Sequence, residues 1–261
     1  VESSGEVYLD NAPSFFSYLQ LQTSALVYTY AGATTSFVDQ LWMNGGRLYM
    51  RPGFHMDVRD FQMDHASSYV HGDGDMTLVN TLWTQGYFSN AGEIRSPGLA
   101  QVPLPLSSSS IFSSSSSQTI VSLNRDRQFI NDGTMYLSGD FVFPNSPRSA
   151  RFINNGLLLV EGAAARFQRI DPTSATPTPY PERVQFSAGS RTNVIGSTLK
   201  IGDCKVGLNE VVVVNGSTSE FEVLSVGSVM ETLSGPGRLH LFGGAKGIFR
   251  TTTAISSNAD F

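Results

Sequence analysis

Phe129-Ile-Asn131-Asp-Gly133-Thr-Met135-Tyr-Leu137 decides the reading of this chain, because it returns 23 residues later (152 − 129) as Phe152-Ile-Asn154-Asn-Gly156-Leu-Leu158-Leu-Val160. An aromatic residue leads into Asn-x-Gly, and apolar residues then alternate. Alternation with a period of two is the mark of a strand with one face buried. Asn-x-Gly is where the chain turns, since glycine has no Cβ to obstruct it. Looser copies start at Trp42 (Trp42-Met-Asn44-Gly-Gly46-Arg-Leu48-Tyr-Met50) and at Phe88 (Phe88-Ser-Asn90-Ala-Gly92-Glu-Ile94). Half copies are Gly74-Asp-Met76-Thr-Leu78 and Gly237-Arg-Leu239-His-Leu241. The starts lie 46 (88 − 42), 41 (129 − 88) and 23 residues apart, near two, two and one units of a single period. A strand and a turn repeating at that period predict stacked coils: an all-β solenoid, read as a right-handed parallel β-helix with irregular ends and loop excursions.

Composition agrees. Charged residues make up 15% of the 261, against about 25% in ordinary globular chains. There are 34 serines and three lysines, so the outward faces are built from neutral polar groups. The net charge of −5 and the lack of a basic stripe argue against nucleic acid and anionic membranes as partners. The apolar runs are too short to span a bilayer, so no membrane insertion is expected. The chain opens on Val1 without a signal peptide, and is expected to be a mature or trimmed piece of a longer product. Cys204 is the single cysteine, read as a buried small hydrophobe.

Along the chain, residues 1–40 read as N-terminal strands or a cap for the open end of the solenoid. Residues 41–170 are the regular coils. In them Phe54, Met56 and Val58 alternate, and the phase then slips so that Phe61 and Met63 alternate; the slip predicts a corner between two strands. The serine runs 107–110 and 113–117 read as a loop. Residues 171–182, with four prolines, cannot form a central strand and read as an excursion. Residues 183–261 read as further coils or a small C-terminal β subdomain.

Aligning the copies predicts which residues stack. The inward slots are Leu48/Met50, Met76/Leu78, Met135/Leu137, Leu158/Val160 and Leu239/Leu241. The outward slots are Arg47/Tyr49, Asp75/Thr77, Glu93/Arg95, Thr134/Tyr136, Leu157/Leu159 and Arg238/His240. Coils stack about 4.8 Å apart. On that alignment Arg47, Asp75 and Glu93 form a charge ladder, and Tyr49 and Tyr136 are sugar-stacking platforms on one ligand face. Leu157 and Leu159 face outward and call for a cover, from the proline-rich excursion or a partner. Asn44, Asn90, Asn131 and Asn154 form a structural amide ladder at the turn.

Three of the four histidines fall between 55 and 71, among Asp57, Asp60, Asp64, Asp73 and Asp75. His71-Gly-Asp73-Gly-Asp75 approaches a calcium repeat, yet its aspartate is one place off and the unit does not recur. No metal and no cofactor is assigned. Asp57, Arg59, Asp60, Asp73 and Asp75 are the one dense set that a polysaccharide lyase or hydrolase on this scaffold would use. No nucleophile elbow, zinc-protease motif or phosphate loop occurs, so no catalytic residue is assigned and the chain is not read as an enzyme. Asn215-Gly-Ser217 is a glycosylation sequon in a turn.

The Phe-x-Asn-x-Gly-x-apolar copies at 88–94, 129–137 and 152–160, with Trp42–Met50 as a looser match, resemble the hyphally regulated cell wall proteins of yeasts. They also resemble, more weakly, the bacterial filamentous-haemagglutinin-like adhesins. The resemblance implies a β-helical adhesin domain, secreted and held at the cell wall, binding a glycan or another cellular or abiotic surface through its lateral face. It supplies no catalytic residues. The yeast domains commonly carry several cysteines, whereas this chain has one. The rival expectations are a polysaccharide-acting enzyme and a structural or viral attachment fibre.

Overall fold

The computed structural model describes residues 2–3, 6–9, 15–29, 35–89, 93–102, 121–123, 127–138, 140–143, 150–161, 165–169, 182–202, 205–208, 212–224, 231–234, 238–250 and 254–255. Their strands form two sheets, of 19 and 11 strands, and strand pairs with strand in parallel. The chain is a parallel β-solenoid. Each turn lays two segments into the longer sheet and one into the shorter. Arg151–Asn154 and Leu157–Glu161 join the longer sheet, and Ala165–Arg169 joins the shorter. The next turn repeats the order with Glu182–Phe186, Arg191–Ile195 and Thr198–Gly202, each beside its counterpart. The later strands, through Ala254–Ile255, add to the same two sheets. The serine runs, Asn90, Cys204 and the proline-rich 171–181 lie outside the described residues.

The alternation read from the sequence builds the interior. Of the predicted inward residues, Leu48, Met50, Met76, Leu78, Met135, Leu137, Leu158, Val160 and Leu239 are buried, whereas Leu241 is 43% exposed. Leu157 and Leu159 face outward, each half-buried. One hydrophobic cluster runs from Leu9 to Leu239. Near the start it is aliphatic and methionine-rich. In the middle it becomes aromatic: Phe129 stacks on Phe152 at 6.2 Å, and Phe141 meets both.

Between 35 and 83 the two segments of the longer sheet fuse into single strands: Thr35–Asn44, His55–Met63 and Asp75–Trp83. The phase slip does mark a bend, but inside an unbroken strand. Arg59 and Asp60 both face outward between buried Val58 and buried Phe61, and the whole strand stays in one sheet. Asp39-Gln40 and Val79-Asn80 repeat the slip in the neighbouring strands, in register. From Glu93 onward the strand is broken there, at Pro97-Gly98, Asp132-Gly133 and Asn155-Gly156. The backbones close up at these glycines. A Cβ on Gly133 would lie 2.2 Å from the Gly98 carbonyl oxygen, and one on Gly156 would lie 2.1 Å from that of Gly133. The ladder is kept through the corner, with the Thr134 amide on Gly98 O and the Leu157 amide on Gly133 O, both 2.8 Å.

The motif copies are not equivalent, which corrects the alignment. The copies at 129 and 152 span the corner inside the longer sheet. The copy at 42 leads from the longer sheet into the shorter, and the copy at 88 leads back. Any corner of a coil needs a tight turn and a fresh strand, so one local pattern serves three places, although Phe88, Phe129 and Phe152 are buried and Trp42 faces outward, half-buried. The asparagine ladder is accordingly shorter than predicted. Asn131 donates to the Asn154 side-chain oxygen at 2.7 Å, and Asn154 passes on to the Thr192 hydroxyl at 3.3 Å. Asn44 lies at a different corner.

Candidate functional site

The residues singled out from the sequence separate onto different faces. Tyr49 and Arg47 belong to Arg47–Met50 in the shorter sheet, and Tyr136 to Thr134–Leu137 in the longer. Asp75 and Glu93 begin strands of the longer sheet and do meet, since Asp75 Oδ1 accepts the Glu93 amide at 2.7 Å. Arg47 is not part of that contact. Its guanidinium lies over the Tyr69 ring, 5.2 Å from the centroid. The ladder Arg47–Asp75–Glu93 is therefore not formed, and Tyr49 does not share a face with Tyr136.

Tyr136 has other company. Its row on the outer face of the longer sheet runs Gln20, Trp42, Gln62, Leu82, Gln101, Tyr136, each opposite the next in register. A parallel row runs Gln40, Asp60, Asn80, Leu99. Between them lies a groove of about 380 Å³. Trp42 and Tyr18 line its N-terminal end, and Leu82 and Leu99 supply apolar surface farther along. From Trp42 to Tyr136 there are four strand spacings of about 4.8 Å, roughly 19 Å.

Hydrogen bonds hold the groove's side chains before any ligand arrives. Asp64 Oδ2 accepts both the Trp42 indole N–H, at 2.9 Å, and the Gln62 amide, at 2.8 Å. Asp60 accepts from Asn80 at 2.8 Å and from Arg59 at 3.3 Å. Such pre-ordering lowers the entropy lost on binding. The lining offers aromatic rings, amides that both donate and accept, and the Asp60 carboxylate. These are the groups that bind the CH face and the hydroxyls of a sugar. The aspartates of this face come from the phase slip and the strand around it, where consecutive residues point outward.

On the shorter sheet five tyrosines form a column the sequence reading missed. Tyr8 stacks on Tyr28 at 5.3 Å, Tyr28 on Tyr49 at 5.0 Å, and Tyr69 on Tyr87 at 5.1 Å. Tyr49 meets Tyr69 edge-on, with their hydroxyls hydrogen-bonded. Burial, then the hydrogen bond and charge of Tyr49, push the Tyr69 pKa up to about 12, while Arg47 pulls it down. Burial also raises that of Tyr87. The signal was present: the tyrosines are 20 (28 − 8), 21 (49 − 28), 20 (69 − 49) and 18 (87 − 69) residues apart, one per turn.

The acidic stretch resolves into separate contacts. His55 pairs with Asp57 at 2.9 Å and with Thr77 at 3.1 Å, His65 with Ser67, and His71 packs on the Tyr49 and Tyr69 rings. Among the described residues there is no group of three or more His, Cys, Asp or Glu placed to hold a metal. The carbonyls of Gly72 and Gly74, in the calcium-like loop, accept hydrogen bonds from the buried Arg127 guanidinium. Burial draws the Arg127 pKa down to about 10, with Asp75 and Asp73 opposing, so it keeps its charge at neutral pH. Asn215 ends the strand Val212–Asn215 and is exposed beside Gly216. No helix among the described residues is long and apolar enough to cross a membrane.

No family model matches the chain, and no curated protein and no solved structure matches it either.

Proposed function

We propose that this solenoid is a surface-binding module of the adhesin type, acting outside the cell at the cell wall, which takes up a glycan along the outer face of its longer sheet. The observation that supports the reading is the groove with Trp42 at one end and Tyr136 beyond the other, edged by amides and the Asp60 carboxylate already held in place. An extended chain of sugars lying along the solenoid axis would meet one residue of each row per coil, so affinity would build from repeated weak contacts. Asn215 would carry a glycan on a turn away from that groove. The chain would bind without turnover, as a domain resembling those of the hyphally regulated cell wall proteins.

A glycan array tests this. Retention is expected for the wild-type chain, loss for Trp42→Ala, and no change for Tyr49→Ala on the shorter sheet. Equal loss in both variants, or none in either, would remove the groove from the account. The enzymatic reading has one observation in its favour, the carboxylates of Asp57 and Asp60 on the same outer face. Reducing-end release from the retained glycan, abolished in Asp60→Asn, would decide for it.

A further inference from the structure

Five phenols line up one per coil, three of their four contacts stacked and the fourth, Tyr49 on Tyr69, edge-on. The chain holds a single cysteine, so no disulfide can tie one coil to another. Tyrosine offers a second covalent route. Tyr28 and Tyr49 lie directly opposite each other on adjacent parallel strands, with centroids 5.0 Å apart and ring planes 11° from parallel. Tyr8 continues the stack at 5.3 Å and is 52% exposed, which is where an oxidant first meets the column.

We propose that the tyrosine column is a site of oxidative coupling, in which a carbon–carbon bond between Tyr28 and Tyr49 staples neighbouring coils of one chain. The co-reactants are hydrogen peroxide and a haem peroxidase. Each of the two phenols loses one hydrogen atom, a proton and an electron. The two radicals join at their ortho carbons, and each ring recovers its aromaticity as the ortho hydrogen moves to the oxygen. The two hydrogen atoms removed reduce one hydrogen peroxide to two waters. Electron transfer between stacked rings carries the oxidation inward from Tyr8. The far part of the column suits it less, because the Arg47 cation faces the Tyr69 ring and opposes the loss of an electron there. Tyr69 also keeps its proton more firmly, for the reasons of burial and hydrogen bonding given above.

The test uses the whole chain, a haem peroxidase and hydrogen peroxide, with free tyrosine as a positive control for coupling. Trypsin cuts after Arg47 and after Arg59 but not between Arg51 and Pro52, so Tyr28 and Tyr49 fall in peptides 1–47 and 48–59. The expected product is these two peptides joined with the loss of two hydrogens, from a chain that still migrates as a monomer on a denaturing gel. Its yield is expected to drop about tenfold when the chain is unfolded in urea, because the stack supplies the proximity. It is also expected to vanish in Tyr28→Phe, in which the ring still stacks but cannot couple. Coupling between chains only, equal yield in urea, an undiminished product in Tyr28→Phe, or no product while free tyrosine couples would each overturn the proposal.

Discussion

The two halves of the longer sheet solve one geometric problem in opposite ways. Both must bend each strand to wrap the core. Between 35 and 83 the bend is made by two consecutive outward residues, and the inward position before it is apolar: Val38, Val58, Leu78. From Glu93 to Glu161 it is made by a glycine, and that inward position is Ser96, Asn131, Asn154. Beyond the turn the buried asparagine amides add donors to backbone carbonyls, Asn131 to Leu157 O at 3.1 Å and Asn154 to Arg191 O at 3.2 Å. The slipped strand has no such side-chain donors, because its inward residues there are buried and apolar. It also points extra side chains outward, and the groove is there. Economy of turn and richness of surface are exclusive choices at this corner.

The largest expected effect comes from exchanging the corner chemistries. Gly133→Ala places a methyl group against the Gly98 carbonyl, and should cost more than about 4 kcal/mol or abolish folding, the range reserved for severe mechanisms. Val79→Ala, at the same corner in the other half and 39% exposed, should stay within about 0.5 kcal/mol. Urea denaturation of both variants measures the contrast, and equal effects would dissolve it. Next comes the ladder. Asn154→Leu keeps the branching of the side chain but enlarges it, and takes one hydrogen bond each from Arg191 O and the Asn131 amide, at about 1–3 kcal/mol. Leu78→Asn, the reverse exchange in the slipped half, should also destabilise, because there the buried amide has no turn carbonyl to serve.

A smaller effect is read as a function of pH. The Tyr69 phenol keeps its proton to about pH 12 when folded and to about pH 10 when unfolded. Between those values the unfolded chain releases its proton first, so the stabilisation is complete below about pH 10 and fades as pH rises toward 12. Denaturation midpoints of wild type and Tyr69→Phe should converge over that window; parallel curves would show that the shorter sheet holds no such phenol. Smallest of all should be Arg59→Ala. Its contacts with Asp39 at 3.4 Å and Asp60 at 3.3 Å are exposed ion pairs, each worth about 0–1 kcal/mol. A larger loss would mean that the slipped corner depends on charge.

How much of this could be read in the sequence follows from the same contrast. Period-two alternation fixed the strands and most inward residues, because burial leaves side chains of a parallel solenoid little choice. The stacking of Asn131 on Asn154 was legible because one turn separates two faithful copies. Trp42 and Phe88 misled because their copies fit a local need common to all three corners, and nothing in nine residues says which corner is meant. The groove was illegible for another reason. Gln62, Leu82 and Gln101 belong to no motif, and they become neighbours of Trp42 and Tyr136 only through register. The tyrosine column could have been found by counting spacing instead of matching patterns.

The claim that the slipped half is the binding half is tested most directly by tryptophan fluorescence. Trp42 lines the groove, half-buried, whereas Trp83 is fully buried in the core, so Trp83→Phe leaves one reporter at the site. Titration of that variant with the oligosaccharide best retained on the array should give a saturable change in emission, absent for sugars the array rejects. An emission unmoved by a glycan that the chain demonstrably binds would place the binding face elsewhere and contradict the account.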